Sequence, residues 1–146
     1  MSKLISPMYL CKSGTEFGEQ TALMAWVAWH RPVVIDLEVL IAIPNGGERG
    51  KVSASKAKAE GVKAGVSDLF LPCARHGYHG LWLELKRYKG GRESPEQAAW
   101  GALMRERGYA YCLCHGWQAA AQALMLWLGF EELAWEDGTY QAQIER

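Results

Sequence analysis

Two apolar stretches of this 146-residue chain lie beside charged side chains that could act together. Asp68 comes directly before the run 69–71, and Glu84 and Lys86 lie two residues apart within the run 81–86. Side chains alternate between the two faces of a β-strand, so Glu84 and Lys86 are expected on one face and three leucines on the other. If the two runs pair as an antiparallel hairpin, Asp68 lies beside Glu84 near the strand ends.

Two carboxylates and an ammonium group at a sheet margin are suited to holding a divalent cation over a phosphodiester. Carboxylate oxygens are the hard ligands that Mg²⁺ prefers, and bound Mg²⁺ can activate water and neutralise phosphate charge. The backbone carbonyl of Leu85 is a further predicted ligand. Lys86 is predicted to orient or deprotonate the attacking water and to contact the phosphate. The pattern predicts a metal-dependent nuclease, although the three residues alone occur in many unrelated chains.

A third acid for the metal is expected from a helix predicted between Thr15 and His30. Glu19 lies one turn before Leu23, on the stripe predicted to face inward, and we favour it as the ligand. Glu16 is the alternative, since it lies one turn earlier. Either acid could instead serve only the helix N-terminus, where the dipole favours a carboxylate.

The periodicity of the chain predicts an α/β fold, a mixed central sheet flanked by helices. We expect one domain over residues 1–146, with its core at about 15–130 and an acidic, weakly ordered tail at 131–146. The remaining predicted elements are a strand buried on both faces over 37–43, a short helix over 53–60, the strand hairpin, a helix from 95 to about 107, a strand over 109–114 and a helix over 117–128.

Charge is distributed unevenly although the formal net charge is zero. Residues 49–92 contain ten Lys or Arg against three acids, and residues 131–146 contain five acids against one base. A basic block around candidate acids is the pattern expected for a phosphate-backbone ligand. An unevenly charged, solvated surface explains it as well.

The four cysteines have no spacing typical of a disulfide scaffold, and no signal peptide precedes them. Free thiols in a cytoplasmic protein are therefore expected. Cys112 and Cys114, followed by His115, lack a second ligand pair for zinc and are predicted to fill one face of a buried strand. No apolar stretch is long enough to cross a bilayer, so no membrane partner is expected.

Several motifs follow one another in an order that resembles a known family. They are Glu19-Gln20, the segment from Ile43 to Arg49 with its Pro-Asn-Gly-Gly loop, the segment from Lys58 to Asp68, Glu84-Leu85-Lys86, and Ser94-Pro95-Glu96-Gln97. The chain resembles the VRR-NUC family, virus-type replication-repair nucleases of the PD-(D/E)xK restriction-endonuclease-like superfamily. The similarity spans about residues 16–128 and looks like the stand-alone phage and bacterial members.

The resemblance implies a restriction-endonuclease-like core of helix, three strands, helix and strand. It implies Mg²⁺ as cofactor, with Mn²⁺ as a substitute, and Asp68, Glu84 and the first-helix acid as ligands. Lys86 is then the catalytic lysine. Ser67 departs from the proline of many relatives, but it shapes a turn and is not a metal ligand.

The resemblance also implies a structure-specific DNA endonuclease in a bacterial or phage-infected cell. For stand-alone members it implies a homodimer that resolves four-way (Holliday) junctions in DNA repair, because two active sites on a two-fold axis suit paired nicks. A nuclease for flaps, ends or duplex sites is the alternative, and a catalytically silent DNA-binding module is a third.

Further residues are candidates for contacting water or DNA. Gln97 is either the N3 residue of a capping box after Ser94 or an active-site residue. His76 and His79 are expected to be exposed, and Trp82 to pack under a helix near the site. Predicted DNA contacts, made to phosphates without reading sequence, are Asn45, Gly46, Gly47, Arg49, Lys56, Lys58, Lys63 and Arg87.

Overall fold

The computed structural model describes residues 6–44, 53–130 and the backbone of 139–143. The helices are α1 Pro7–Leu10, α2 Glu16–His30, α3 Ser53–Ala59, α4 Pro95–Glu106 and α5 Trp117–Trp127. The strands are β1 Ile41–Ala42, β2 Leu69–Leu71, β3 Leu81–Lys86, β4 Ala110–His115 and β5 Thr139–Gln143. Short 3₁₀ helices cover Cys11–Ser13 and Ile35–Val39.

The five strands form one mixed sheet in the order β1-β2-β3-β4-β5. The first three strands are antiparallel neighbours, whereas β4 and β5 run parallel to β3. The predicted hairpin of β2 and β3 is confirmed, with Leu69 opposite Leu83. The parallel β4 follows the crossover helix α4, as expected for a strand reached through a helix. The predicted α/β fold class is confirmed.

The core lies on the leucine face of β3. Leu81, Leu83 and Leu85 are at most 1% exposed and pack with apolar side chains of α2 and α5. The opposite face of β3 carries Trp82, whose ring meets Trp100 of α4 edge-on at 5.3 Å between centroids. Helices therefore cover both faces of the sheet, and the two faces contain different kinds of side chain.

Helix starts follow local sequence signals. The Thr15 hydroxyl accepts from the backbone N–H of Gly18 and caps α2. Ser94 and Gln97 form a complete capping box at the start of α4, as the sequence predicted. This capping box fixes the position of the Gln97 side chain at the start of α4.

The predicted buried strand over 37–43 is wrong. The structure has a 3₁₀ helix over Ile35–Val39 and only a two-residue strand, β1, which is exposed. One acid lies within the apolar run and one just before it, and both are paired on the surface: Glu38 with Arg31 at 3.7 Å and Asp36 with Arg75 at 2.7 Å. Burying these charges would be costly, so the segment stays at the surface.

A further strand lies within the predicted C-terminal tail. Residues Thr139–Gln143 form β5, which pairs in parallel with β4 from Tyr111 to His115. A polar segment can take this place because backbone hydrogen bonds hold a strand at the side of a sheet whatever its side chains. The rest of the predicted acidic tail lies outside the described residues. Within the described ranges, no helix is long and apolar enough to span a membrane.

Candidate metal and nucleic-acid site

Asp68 is positioned by the point at which β2 begins. Pairing with β3 starts at Leu69, whose partner is Leu83, so the ladder does not extend to Leu85. The Leu85 N–H instead donates to Oδ2 of Asp68 at 2.8 Å. The Asp68 backbone is held from the other side, since its carbonyl accepts from Ile43 N–H at 2.7 Å. The carboxylate therefore lies at the open margin of β3.

A close backbone contact brings the segment before Asp68 against α4. Gly65 has a φ of +82°, and a Cβ at this position would lie 2.3 Å from the carbonyl oxygen of Glu96. Only glycine fits both the left-handed conformation and the contact. The start of α4, and with it Gln97, is thereby placed beside the carboxylates.

Glu84 is a buried carboxyl group, 1% exposed, on the face opposite the leucines. Its Oε1 accepts a hydrogen bond from Nε2 of Gln97 at 2.7 Å and lies 3.2 Å from Nζ of Lys86. Its Oε2 has no hydrogen-bond partner within the described part of the chain. Gln97 also forms the predicted capping box, because its Oε1 accepts from Ser94 N–H, and its role in an active site stays a prediction.

The environment of Glu84 opposes its ionisation. Burial is the main cause, repulsion from Asp68 adds to it, and Lys86 acts in the opposite direction, which together raise the pKa of Glu84 to about 8. A buried carboxyl group with a raised pKa, next to a second carboxyl group, is typical of a site that a cation or a reaction uses.

Lys86 links the strand to α2. Its side chain is 5% exposed, and its Nζ lies 3.2 Å from Glu84 and 3.6 Å from Oε1 of Glu16. Glu16 is half exposed, so the second pair opens toward solvent. A buried ammonium group between a buried and an exposed carboxylate is positioned to meet a ligand from the solvent side.

The two first-helix acids have different positions. The structure places Glu16 beside Lys86, whereas Glu19 is fully buried and accepts from the Trp117 N–H at 2.8 Å. Glu19 therefore stabilises the N-terminus of α5, where Gly116 offers no side-chain cap. The prediction that Glu19 faces inward is confirmed. Its preference over Glu16 as the metal ligand is not supported by this placement.

Sequence reasoning missed two residues that adjoin the site. Tyr111 of β4 lies opposite Trp82 in the register, and its hydroxyl donates a short hydrogen bond to Oε1 of Glu93. The ring packs on the backbone of Gly101 in α4, where a Cβ would lie 2.9 Å away. Glu84 is close enough to raise the pKa of Tyr111, after burial and Glu93. The sequence carried no signal for this placement, because the register of β4 against β3 sets the position of Tyr111.

All eight predicted DNA-contacting residues lie on the surface or outside the described ranges. Lys56, Lys58, Lys63 and Arg87 are all exposed. Arg87 donates to the carbonyl of Gly90 at 3.2 Å. The predicted loop residues Asn45, Gly46, Gly47 and Arg49 lie outside the described residues. DNA contact by either group stays a prediction.

The other residues considered in the sequence are two histidines, one tryptophan and two cysteines. His76 and His79 are exposed, as predicted, and Nε2 of His76 lies 2.9 Å from the carbonyl oxygen of Trp127. Trp82 packs under α4, as predicted, and stacks on Phe70. Cys112 and Cys114 are fully buried on the leucine side of β4, which confirms that they fill a strand face.

The donor set at Asp68 and Glu84 fits a divalent cation. Both are carboxylates, one of them has an unpartnered buried oxygen, and their mutual repulsion would be relieved by a positive ion. Within the described residues, no three His, Cys, Asp or Glu side chains form a ready-made ligand cluster. A complete shell therefore needs Glu16, a backbone carbonyl such as that of Leu85, water or the substrate.

Comparison with known proteins agrees with this architecture. No family model matches the sequence, and no curated protein matches it. Among solved structures, a "VRR_NUC domain protein" is similar with a TM-score of 0.65 and 23% sequence identity, over 86% of this chain and 92% of that chain. The chain therefore has the fold of a VRR_NUC domain protein.

Proposed function

We propose that this protein is a metal-dependent, structure-specific DNA endonuclease. The observation that carries the proposal is the cluster of the half-buried Asp68 with the buried Glu84 and Lys86 at the margin of β3. Burying two ionisable groups beside a third costs stability, so this arrangement favours a functional use. The fold shared with a VRR_NUC domain protein supports a nuclease over other phosphate chemistry.

The proposed ligands of the cation are Asp68, Glu84 and the Leu85 carbonyl, with a first-helix acid as the fourth. We now favour Glu16 over Glu19 for that place, because Glu16 lies 3.6 Å from Nζ of Lys86 and is half exposed, whereas the buried Glu19 accepts from the Trp117 N–H. Bound Mg²⁺ or Mn²⁺ would supply the Lewis acidity that lets water attack a phosphodiester at neutral pH.

The chain's own residues would prepare water and phosphate for the reaction. Lys86 carries a positive charge at the cluster and can hold a phosphate oxygen or the attacking water. Gln97 fixes one oxygen of Glu84 and leaves the other available to a ligand. The exposed lysines of α3 and Lys63 would hold the DNA backbone without reading its sequence.

The proposal extends to the structure of the DNA substrate and to the assembly of the protein. A homodimer with two sites related by a two-fold axis would suit paired nicks in a four-way junction. Flaps, ends and duplex sites need the same chemistry but only one site. Junction selectivity would thus depend on the distance between the two sites of the dimer.

The proposal is tested by cleavage of labelled four-way junctions, flaps and linear duplex with Mg²⁺, Mn²⁺ or EDTA. We expect cutting with either metal, none in EDTA, and a loss of roughly 10²-fold or more in Asp68→Asn and Lys86→Met. Arg107→Ala, which changes an exposed cation at the far end of α4, is the matched control.

Each part of the proposal has an outcome that contradicts it. Undiminished cutting by Asp68→Asn would remove the metal-site assignment. Equal cutting of junction and linear duplex would remove the resolvase assignment, and a monomer in sedimentation at working concentration would remove the paired-nick mechanism. DNA binding without cleavage under every metal condition would favour the silent binding module.

A further inference from the structure

His115 ends β4 on the charged face of the sheet. It lies directly opposite Lys86 in the parallel register of β3 and β4. Cys112 and Cys114 are fully buried on the leucine side, so alternation along the strand places the His115 side chain on the other side, with Glu84 and Lys86. Neighbouring strands lie about 4.8 Å apart, which puts the imidazole beside the Lys86 side chain.

The same alternation separates His115 from the two cysteines that precede it. A zinc ion needs ligands that converge on one point, but the thiols of Cys112 and Cys114 lie together on the core side of the strand. Burial also raises the pKa of the Cys112 thiol, which disfavours the thiolate form that binds metal. His115 therefore belongs with Lys86 and the carboxylates, not with the cysteines.

Backbone contacts hold the chain in place directly after His115. The Gly116 N–H donates to the carbonyl of Lys86 at 2.9 Å, and the Trp117 N–H donates to Glu19 at 2.8 Å. Gly116 has a φ of 91° and a ψ of 155°, a conformation that is essentially restricted to glycine and that turns the chain from β4 into α5. The position of His115 next to Lys86 thus depends on the backbone and not on the imidazole itself.

The imidazole of His115 is half-buried, and within the described ranges it forms no hydrogen bond or ion pair. The other histidines have partners. The ring nitrogens of His30 and His76 lie 2.8 Å and 2.9 Å from backbone carbonyl oxygens. His79 packs edge-on against the ring of Tyr109. An N–H donor beside a buried ammonium group is suited to an anion that arrives from solvent.

We propose that His115 contacts the scissile phosphate and donates a ring N–H to one of its non-bridging oxygens. Each neutral tautomer has one N–H and the protonated ring has two, so the contact needs no change in the charge of the imidazole. The inference rests on the proposed nuclease function and adds a residue to its phosphate-binding groups. Lys86 and His115, side by side on neighbouring strands, would hold two oxygens of the same phosphate.

The register favours a phosphate contact over a place among the metal ligands. Glu84 is opposite Leu113, whereas His115 is opposite Lys86, so the imidazole lies two positions along the sheet from the buried carboxyl group. Mg²⁺ also prefers carboxylate oxygen to imidazole nitrogen. A phosphate held by Lys86 would have an oxygen next to the imidazole. Because negative charge builds up on that phosphate in the transition state, the contact should strengthen as the reaction proceeds.

The direct test follows the ring nitrogens of the four histidines by proton–nitrogen correlation NMR. Thymidine 5′-monophosphate, which carries a phosphate and has no phosphodiester to cut, is added with Mg²⁺ and again in EDTA. We expect the resonances of His115, identified by their loss in His115→Gln, to move, and those of His79 to stay in place. No movement of His115 in either condition, or equal movement of His79, would overturn the inference.

Cleavage kinetics supply the second measurement. His115→Ala should lower kcat roughly 10²-fold with little change in KM, because the lost contact is strongest in the transition state. His115→Gln keeps an N–H donor and should recover at least about tenfold of that loss. His79→Ala changes an exposed histidine at the opposite end of β3 and should cut as the wild type does.

The kinetic variants are compared after circular dichroism shows that each is folded. A folded His115→Ala that cuts at the wild-type rate, or a folded His115→Gln no faster than His115→Ala, would overturn the proposed N–H contact. The NMR measurement on the wild-type protein decides the question if neither variant folds, with His115 then identified by sequential assignment.

The outcomes for the phosphate contact and for the nuclease are separable. Movement of the His115 resonances in a wild-type protein that cuts no DNA with Mg²⁺ or Mn²⁺ would remove the nuclease and leave the phosphate site. Equal cutting by the wild type and His115→Ala, with no movement of the His115 resonances, would remove the phosphate contact and leave the nuclease.

Discussion

The two faces of β3 differ in the kind of side chain that each one buries. One face carries Leu81, Leu83 and Leu85 against the core, and the other carries Trp82, Glu84 and Lys86. All except Trp82 are buried, so burial alone does not separate them. The leucine face gains stability from burial, whereas the charged face requires specific partners to offset its desolvation. One strand therefore contributes both to folding and to the proposed chemistry.

The largest expected effect comes from changing the charged face alone. Glu84→Gln should lower cleavage roughly 10²- to 10³-fold, because it removes a charged ligand while keeping the oxygen that accepts from Gln97. The protein should stay folded, as shown by an unchanged circular dichroism spectrum. A cleavage rate equal to that of the wild type would show that Glu84 is not part of the site.

The complementary change is made on the leucine face. Leu83→Ala should lower the free energy of unfolding by about 2–5 kcal/mol, since it leaves a cavity in a fully buried position. Leu83→Met is the matched control and should cost less than about 1.5 kcal/mol. Denaturant titration measures both. If activity per folded molecule fell as far as in Glu84→Gln, the division of roles between the faces would be wrong.

The pH dependence of stability sharpens the comparison because only one face titrates. The pKa of Glu84 is raised from 4.5 to about 8, so the folded state holds a proton that the unfolded chain has lost between these values. The contribution of Glu84 to the free energy of unfolding is fully present below pH 4.5. As the pH rises toward 8, the free energy of unfolding falls by on the order of 2–4 kcal/mol.

That loss is measurable by urea titration in EDTA across this pH range. Glu84→Gln should remove most of the fall in the free energy of unfolding with pH. Leu83→Ala should lower the free energy of unfolding at every pH and keep its slope against pH. A fall of equal size in Glu84→Gln would mean that another group is responsible. Divalent metal should oppose the fall in the wild type, because metal binding favours the ionised carboxylates.

The smallest expected effects separate the two acids of α2. Glu19→Ala should cost about 1–3 kcal/mol of stability, because it leaves the Trp117 N–H without its acceptor. Glu16→Ala should change stability by no more than about 0.5 kcal/mol, since Glu16 is half exposed, but should lower cleavage. The opposite result, with Glu19→Ala stable and inactive, would restore Glu19 as the ligand.

The elements that sequence predicted well are those with local signals. The capping box at Ser94 and Gln97 and the β2–β3 hairpin each depend on residues close in the chain, and each appears in the structure. The prediction of a strand over 37–43 was wrong, because an apolar run does not show which neighbouring element will cover its side chains. The strand Thr139–Gln143 was missed because its place depends on pairing with β4, not on its own composition.

The sequence alone determined which side chains share a face, because strand alternation places Glu84 opposite the leucines whatever lies around it. It also supplied the candidates Asp68, Lys86 and Gln97. Only the tertiary structure decided that Glu16 lies beside Lys86 and that Glu19 accepts from the Trp117 N–H. Both placements depend on how α2 packs against β3 and α5, and contacts between residues distant in the chain leave no periodic signal in it.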